Sequence, residues 1–257
     1  MTHEPHRPTS RVLDILETLA QRDGGLTLTE LSRSVDAPAS SLTPFLRTLC
    51  ARGYLDCNRK NMVYTLGART LLLSAAFATT DIYSLTMQEM QRVVDRCSET
   101  CQLGIREGSN VFYIAKIDSP EPLRLVSSVG KSLPASCTAI GKALLCDCTR
   151  QEVESLYPDG LPALTPSSIR DMDEFCGQLA RIHMGEFALD VDESHEHLRC
   201  FALPIRLDGQ VDAAVSVSMP AFRLDEDKER LVRACLLAAR NAVERHLSTA
   251  GHGFSGK

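Results

Sequence analysis

The residues best suited to chemistry gather in the second half of the chain. Ala135-Ser136-Cys137-Thr138 stands directly before a run of helical periodicity, so its backbone N–H groups and the positive helix end form a place for an anion. Ser136 serves there equally as a plain N-cap. Ser216 and Ser218 share one face of a strand-like run at period two, where small hydroxyls are ordinarily half-buried sheet residues. Cys137 would become an acidified thiolate, as in a thiol-dependent hydrolase, if His183, His195 or His197 stood within reach as its base. No spacing in the sequence positions such a histidine. Asp192, His195, His197 and Cys200 carry metal-ligand chemistry, with both histidines on one face of a strand, although an exposed acidic loop explains the same residues. Gly130-Lys131-Ser132 has the ending of a phosphate-binding loop, but Leu125 occupies the place of its first glycine, which excludes nucleotide hydrolysis.

A second group lies near the N-terminus. Ser40, Ser41, Thr43, Arg47 and Arg52 fall on one side of a helical pattern, and Arg59 and Lys60 occupy a polar turn between two β-prone runs. Small hydroxyls and arginines reach base edges and phosphates in a major groove, and paired cations suit the phosphate backbone. The net charge of -5 argues against nucleic acid at first sight. It is unevenly spread: residues 1–67 carry eight Lys and Arg against seven Asp and Glu, and the remainder twenty against twenty-six. A slightly basic head on an acidic body points toward DNA once a motif supports it.

Positioning these residues requires two folded parts. Val12, Ile15, Leu16 and Leu19 form the stripe of one amphipathic helix, ended by Asp23-Gly24-Gly25. Thr27 and Glu30 make a capping-box pattern that opens a second helix through Leu28, Leu31 and Val35. After Asp36-Ala37-Pro38 a third helix turns Leu42, Phe45, Leu46 and Leu49 inward, with Thr43-Pro44 reading as its N-cap and N1. Tyr54–Asp56 and Met62–Leu66 then make a hairpin around Arg59 and Lys60. This order is a winged helix-turn-helix. A three-helix module that touches only protein shares the pattern, and the basic hairpin tip and short helix spacing favour DNA.

The remainder reads as a short apolar helix over Ala68–Ala78, a helical stripe through Met87, Met90, Val93 and Val94, and strands at Gln102–Arg106, Val111–Ile117 and Leu123–Val129. Helices follow at Thr138–Cys146, Gln151–Tyr157 and Ile169–His183, strands at Cys200–Leu207 and Val211–Ser218, and a long helix at Leu224–Leu247. The tail from Ser248 is expected to fray. The mixture implies an α+β domain on a mostly antiparallel sheet. Ten cysteines without a CxxC pair or an export signal indicate free thiols in a cytoplasm. No apolar run approaches the roughly eighteen residues of a membrane span.

Arg11-Val-Leu-Asp-Ile-Leu16, Leu28-Thr-Glu-Leu31, Pro38-Ala-Ser-Ser-Leu42, Leu49-Cys-Ala-Arg-Gly-Tyr-Leu55 and Tyr64-Thr-Leu-Gly67 resemble the DNA-binding head of the IclR family of transcriptional regulators. Ser132-Leu-Pro-Ala-Ser-Cys-Thr-Ala-Ile-Gly-Lys-Ala-Leu-Leu145, Cys200-Phe-Ala-Leu-Pro-Ile205 and Ala214-Val-Ser-Val-Ser-Met-Pro220 with Arg223 resemble that family's GAF-like effector-binding domain, so the likeness spans nearly the whole chain. Two departures stand out. Pro44 replaces a helix-compatible residue, and Ser194-His-Glu-His-Leu-Arg-Cys200 lacks a glycine that family members carry shortly before the cysteine.

The resemblance implies a winged helix-turn-helix over 8–67, a linker helix over 68–82 and an effector-binding domain over 83–250. It implies operator contacts from Thr29, Ser40, Ser41, Thr43, Arg47, Arg59 and Lys60. It implies an effector pocket lined by Ala135, Ser136, Cys137, Thr138, Cys200, Ser216 and Ser218. The expected protein is a cytoplasmic homodimer or homotetramer that binds double-stranded operator DNA and a small organic or aromatic acid, with no cofactor, metal, membrane partner or enzymatic activity. The rival reading is a thiol-dependent hydrolase or metal-sensing protein built on Cys137, Cys200, His195 and His197.

Overall fold

A computed structural model describes residues 6–78, 80–122, 129–250 and 253–254. The chain divides into two units, Met1–Thr80 and Asp81–Lys257.

In the first unit, α1 (Arg7–Ala20) buries Ile15 and Leu19. α2 (Leu28–Ser34) begins at the expected capping box: Glu30 N–H donates to the Thr27 hydroxyl oxygen, and the Glu30 carboxylate accepts the Thr27 N–H at 2.7 Å. Two otherwise orphaned donors are thereby satisfied at the helix start. α3 spans Ala39–Ala51, and β2 (Leu55–Asn58) and β3 (Val63–Leu66) form the wing hairpin. A two-residue strand not expected from the sequence, β1 (Leu26–Thr27), pairs with β3 and completes a sheet of order β1-β3-β2. Gly25 permits this closure, because it sits at φ +78° and a Cβ there would lie 2.3 Å from the Tyr64 carbonyl oxygen. Ile15, Leu31, Leu42, Leu46 and Leu55 fill the core of this unit.

The start of α3 differs from the sequence expectation. Pro38, not Thr43, is the N-cap; its carbonyl accepts the Ser41 N–H at 2.9 Å and the Leu42 N–H at 3.3 Å. Pro44 is therefore inside the helix. The Thr43 hydroxyl does not cap but donates to the Ala39 carbonyl at 2.9 Å, one turn back. The cause is burial: Leu42 lies in phase with Leu46 and Leu49 and is fully buried, so the helix must already be formed before Pro44. Tertiary packing overrides the local preference of proline.

α4 (Thr70–Ala78) follows, two residues shorter at its start than expected. It is apolar all round, and Leu71, Leu72, Leu73 and Phe77 are all exposed.

The second unit holds α5 (Asp81–Cys97), β4 (Thr100–Glu107), β5 (Asn110–Ile117), β6 (Ser132–Pro134), a 3-10 turn at Ala135–Cys137, α6 (Ala139–Leu145), α7 (Arg150–Leu156) and α8 (Met172–His183). It ends with β7 (Ala188–Val191), β8 (Leu198–Leu207), β9 (Gln210–Pro220) and α9 (Glu226–Ala250). Six strands form one antiparallel sheet in the order β6-β5-β4-β9-β8-β7. The α+β expectation holds. Most of the expected strand Leu123–Val129 lies outside the described residues. β6 and β7 had no sequence assignment, being short and interrupted by Pro134 and Asp190.

Period-two alternation divides the sheet between two cores. Phe201, Leu203 and Ile205 of β8 and Val215, Val217 and Met219 of β9 face α5 and α9. Cys200, Ala202 and Ala214 face the opposite core of α6, α7 and α8, where Ile140, Leu144, Val153, Phe175 and Leu179 lie. At the described C-terminal positions, α9 runs to Ala250, and Phe254 is buried against the first of these cores with its N–H donated to Asp212 Oδ2 at 2.6 Å.

Candidate nucleic-acid interface and ligand cavity

On the head, Ser40, Ser41, Pro44, Arg47 and Thr48 make one exposed face of α3, opposite Leu42, Leu46 and Leu49. The Ser41 hydroxyl donates to the Pro38 carbonyl at 2.7 Å, leaving its lone pairs to accept. Thr43 is half-buried and already spends its hydroxyl hydrogen on Ala39. Thr29 is exposed in the first turn of α2. Arg59 and Lys60 are exposed at the wing tip, where the Lys60 N–H donates to Asn58 Oδ1 at 3.0 Å and fixes the turn. A helix face of hydroxyls and an arginine, with two cations on a neighbouring hairpin, matches base-edge readout by one element and phosphate binding by the other.

In the second unit, small residues on the α6 side of the sheet leave room for a cavity of about 130 Å³. The register sets its polar rows: Asp190 faces Cys200 and Cys200 faces Ser218, while Ala202 faces Ser216 and Ser216 faces Gln102. Ser216, Ser218, Gln102, Tyr113 and Cys200 line the sheet side, Thr138, Ala139 and Ile140 the helix side, and Asp190 and Ser194 the remaining wall. Lys131 and His195 line its exposed edge. The Ser218 hydroxyl donates to Gln102 Oε1 at 3.0 Å. Burial pushes the Tyr113 phenol and, together with the nearby Asp190, the Cys200 thiol well up, so both are neutral. Burial likewise raises the Asp190 carboxyl, against the lowering pull of the Ser194 hydroxyl and two backbone N–H donors.

Four of the sequence-selected residues, Thr138, Cys200, Ser216 and Ser218, come together around this cavity. Ala135, Ser136 and Cys137 do not line it. They form a buried turn in which three donors are occupied: Ala135 N–H by the Ser109 carbonyl at 2.9 Å, Ser136 N–H by the Tyr157 hydroxyl at 3.1 Å, and the Cys137 thiol by the Pro162 carbonyl at 3.1 Å. The N-cap of α6 is Thr138 rather than Ser136, its hydroxyl oxygen accepting the Gly141 N–H at 3.0 Å. Gly141 lets α6 press on the turn, since a Cβ there would lie 2.2 Å from the Ala135 carbonyl oxygen. The sequence reading missed Asp190, Ser194, Gln102 and Tyr113. An acid or an amide between apolar neighbours in a β-prone run was the available signal for Asp190 and Gln102.

The rival chemistries fare poorly. Burial raises the Cys137 thiol, and His183 is engaged elsewhere, its Nδ1 lying 2.9 Å from Asp147 Oδ1. His195 and His197 lie in the turn before β8, not on a strand, and His197 is at φ +61°. Among the described residues no group of three or more His, Cys, Asp and Glu has metal-holding geometry.

Comparison with known proteins agrees with both halves of the chain. Residues 8–57 match the family model "IclR helix-turn-helix domain", and residues 74–245 match "Bacterial transcriptional regulator IclR C-terminal". The chain is 32% identical over 240 residues to the HTH-type transcriptional regulator KdgR of Dickeya chrysanthemi, covering 91% of this chain and 78% of that protein. It is 30% identical over 241 residues to XynR of Escherichia coli K12, covering 92% and 95% respectively. Among solved structures, an IclR transcriptional regulator from Alicyclobacillus acidocaldarius superposes with a TM-score of 0.88 at 22% identity, covering 95% of this chain and all of that one. An IclR homologue from Microbacterium hydrocarbonoxydans complexed with 4-hydroxybenzoate superposes with a TM-score of 0.80 at 22% identity, covering 94% and 99%.

Proposed function

The chain belongs to the IclR family of bacterial transcriptional regulators, and from that premise we propose that an organic or aromatic acid in the cavity between α6 and the sheet controls its grip on an operator. It is a DNA-binding regulator with a helix-turn-helix head and a small-molecule effector-binding domain. The observation that carries the acid reading is the set of uncharged hydroxyls converging on one buried space: Ser216, Thr138, and Ser218, which donates to a ligand by giving up its bond to Gln102. Hydroxyls donate to a carboxylate or accept from a hydroxyl, so they orient such a ligand without neutralising it. The relative complexed with 4-hydroxybenzoate shows an aromatic acid bound to a protein of this fold. A volume near 130 Å³ approaches that of the roughly 150 Å³ engineered cavity that takes benzene, so larger acids must extend past Lys131 and His195.

Cys200 closes the sheet side of the ligand site, and Ala135, Ser136 and Cys137 support it from behind. On the head, Thr29, Ser40, Ser41 and Arg47 read bases or their flanking phosphates, Thr43 shapes the helix start, and Arg59 and Lys60 hold phosphate. We take the domain limits as 8–67, 68–82 and 83–250; the first ends at the end of the wing, and the last begins two residues after α5 starts at Asp81. Two or four copies assemble, supported by the exposed Leu71, Leu72, Leu73 and Phe77, because apolar patches of this kind normally find a partner. All ten cysteines are free, which suits the cytoplasm, and among the described residues no helix is long and apolar enough to cross a membrane.

The test is a thermal-shift screen of carboxylic acids on the full chain, since a ligand that binds only the folded state raises its melting temperature. Ser216→Ala with Ser218→Ala removes two buried hydrogen-bond partners at roughly 1 kcal/mol each, so affinity falls about tenfold or more. DNA affinity without ligand stays unchanged. A double variant with full effector response refutes the placement.

A further inference from the structure

The acidic wall of the cavity constrains how an anion can enter. Asp190 is 1% exposed and lines the cavity. Its Oδ1 accepts the N–H groups of Glu193 at 2.8 Å and Ser194 at 3.3 Å, and its Oδ2 accepts the Ser194 hydroxyl. Behind the same turn lies Lys142 of α6, fully buried. Its three protons go to Glu193 Oε1 at 2.6 Å, Gln178 Oε1 at 2.9 Å and the Leu189 carbonyl at 2.9 Å. The buried cation is thus spent on Glu193 and on the β7 backbone, and Glu193 Oε2 has no hydrogen-bond partner among the described residues. The other titratable groups around Asp190 are Tyr113 and Cys200 inside the cavity, both neutral, and Lys131 and His195 on its exposed edge.

A carboxylate ligand entering this space meets a carboxyl group with no buried cation free to balance the pair. Two carboxylates that share a desolvated site cannot both stay ionised. We propose that an acid effector binds together with one proton from solvent, held between its carboxylate and that of Asp190, so that Asp190 recognises the ligand as a hydrogen-bond donor. This inference rests on the acid reading above. No covalent bond to carbon changes; the only event is uptake of one proton per ligand. Asp190 then favours monocarboxylates over amines, which would need its ionised form. The Lys142–Glu193 pair positions the turn while leaving that proton to Asp190.

Calorimetry of the full chain in buffers of different ionisation enthalpy counts the proton, with acetate, pyruvate and 4-hydroxybenzoate as probes. Binding should take up about one proton at neutral pH, and affinity should fall about tenfold per pH unit above the Asp190 midpoint. Asp190→Asn keeps an acceptor for the Glu193 N–H and supplies a permanent donor. It should bind with a flat pH profile and no proton uptake, whereas Glu193→Gln should leave the count near one. Three outcomes overturn the proposal: wild-type binding without proton uptake, continued uptake by Asp190→Asn, or a folded Asp190→Asn that no longer binds. Any of these leaves the acid reading intact. Failure of all three acids to bind at any pH between about 6 and 8 removes the acid reading, and this inference with it.

Discussion

Replacing Pro44 should stabilise the head. The residue is sixth in a helix of thirteen, so its missing N–H removes the bond that the Ser40 carbonyl would accept. Proline in a helix interior costs about 3 kcal/mol relative to alanine. Two effects reduce that figure here. Ser40 and Pro44 lie on the exposed face, so water reaches the orphaned carbonyl. Proline also restricts the unfolded chain, which returns roughly 0.4–1 kcal/mol. Pro44→Ala is therefore expected to stabilise the unit by about 2 kcal/mol, which for a domain of this size raises its melting temperature by roughly 8–16 °C. The assay is denaturation of a fragment ending at Thr80, which contains a complete core of its own, with hydrogen exchange at α3 amides in the full chain as a second readout. Were Pro44 an N1 residue, as Thr43-Pro44 suggests from sequence, the donor gained would be one that helix starts leave unpaired, and nothing would change. A midpoint shift below about 0.5 kcal/mol therefore refutes an α3 that is continuous through Pro44.

The wing gives a sharper DNA test: Arg59→Ala with Lys60→Ala should weaken all sequences alike and flatten the salt dependence by about two, near 0.9 for each phosphate no longer neutralised, and an unchanged slope in filter binding removes the wing from the interface. Lys142→Met leaves Glu193 buried without its partner and should cost about 3–5 kcal/mol in urea denaturation, with most of it recovered when Glu193→Leu is added; additive losses would refute a direct pairing. Asp147 is held down to about 2, chiefly by hydrogen bonds from Arg206 and then by His183, so its stabilisation is present above 3.8 and lost as pH falls through about 2. Asp147→Asn should lack that acid step, and identical acid-denaturation profiles for the two proteins would refute it.

Local rules made much of the fold legible. Thr27 and Glu30 announced α2, and the same pattern at Thr149 and Glu152 caps α7, although the sequence reading placed that helix one residue late. Period-two alternation placed Ser216 and Ser218 together, and the register set Cys200 beside Ser218. Pro44 was misplaced because a Thr-Pro pair satisfies every local criterion for a helix start, while the burial of Leu42 is a tertiary fact. Asp190 escaped notice because β7 is four residues long and takes its polar partners from a turn whose backbone bonds cannot be read from residue types. Lys142 reads as an ordinary basic residue near a helix end. Only the packing of α6 against α8 and β7 shows that it is buried.

The two faces of β8 and β9 explain why the ligand space lies where it does. On one face Phe201, Leu203, Val215, Val217 and Met219 fill the core against α5 and α9, so that side can take up no further molecule without overpacking. On the other, Cys200, Ala202, Ala214, Ser216 and Ser218 are all small, so α6 packs across them with a space left beside Thr138, Ala139 and Ile140. Small side chains there forgo apolar burial that larger ones would supply, at about 25 cal/mol per Å². The cavity is thus a local sacrifice of packing on one face, offset by a dense core on the other. Because strand period alone separates the faces, a one-residue register slip would exchange Ser216 and Ser218 for Val215 and Val217 and abolish cavity and core together. The ligand space and the stability of the sheet are therefore set by the same register, which the hairpin at Asp208-Gly209 and the one-residue bulge at Asp212 fix together.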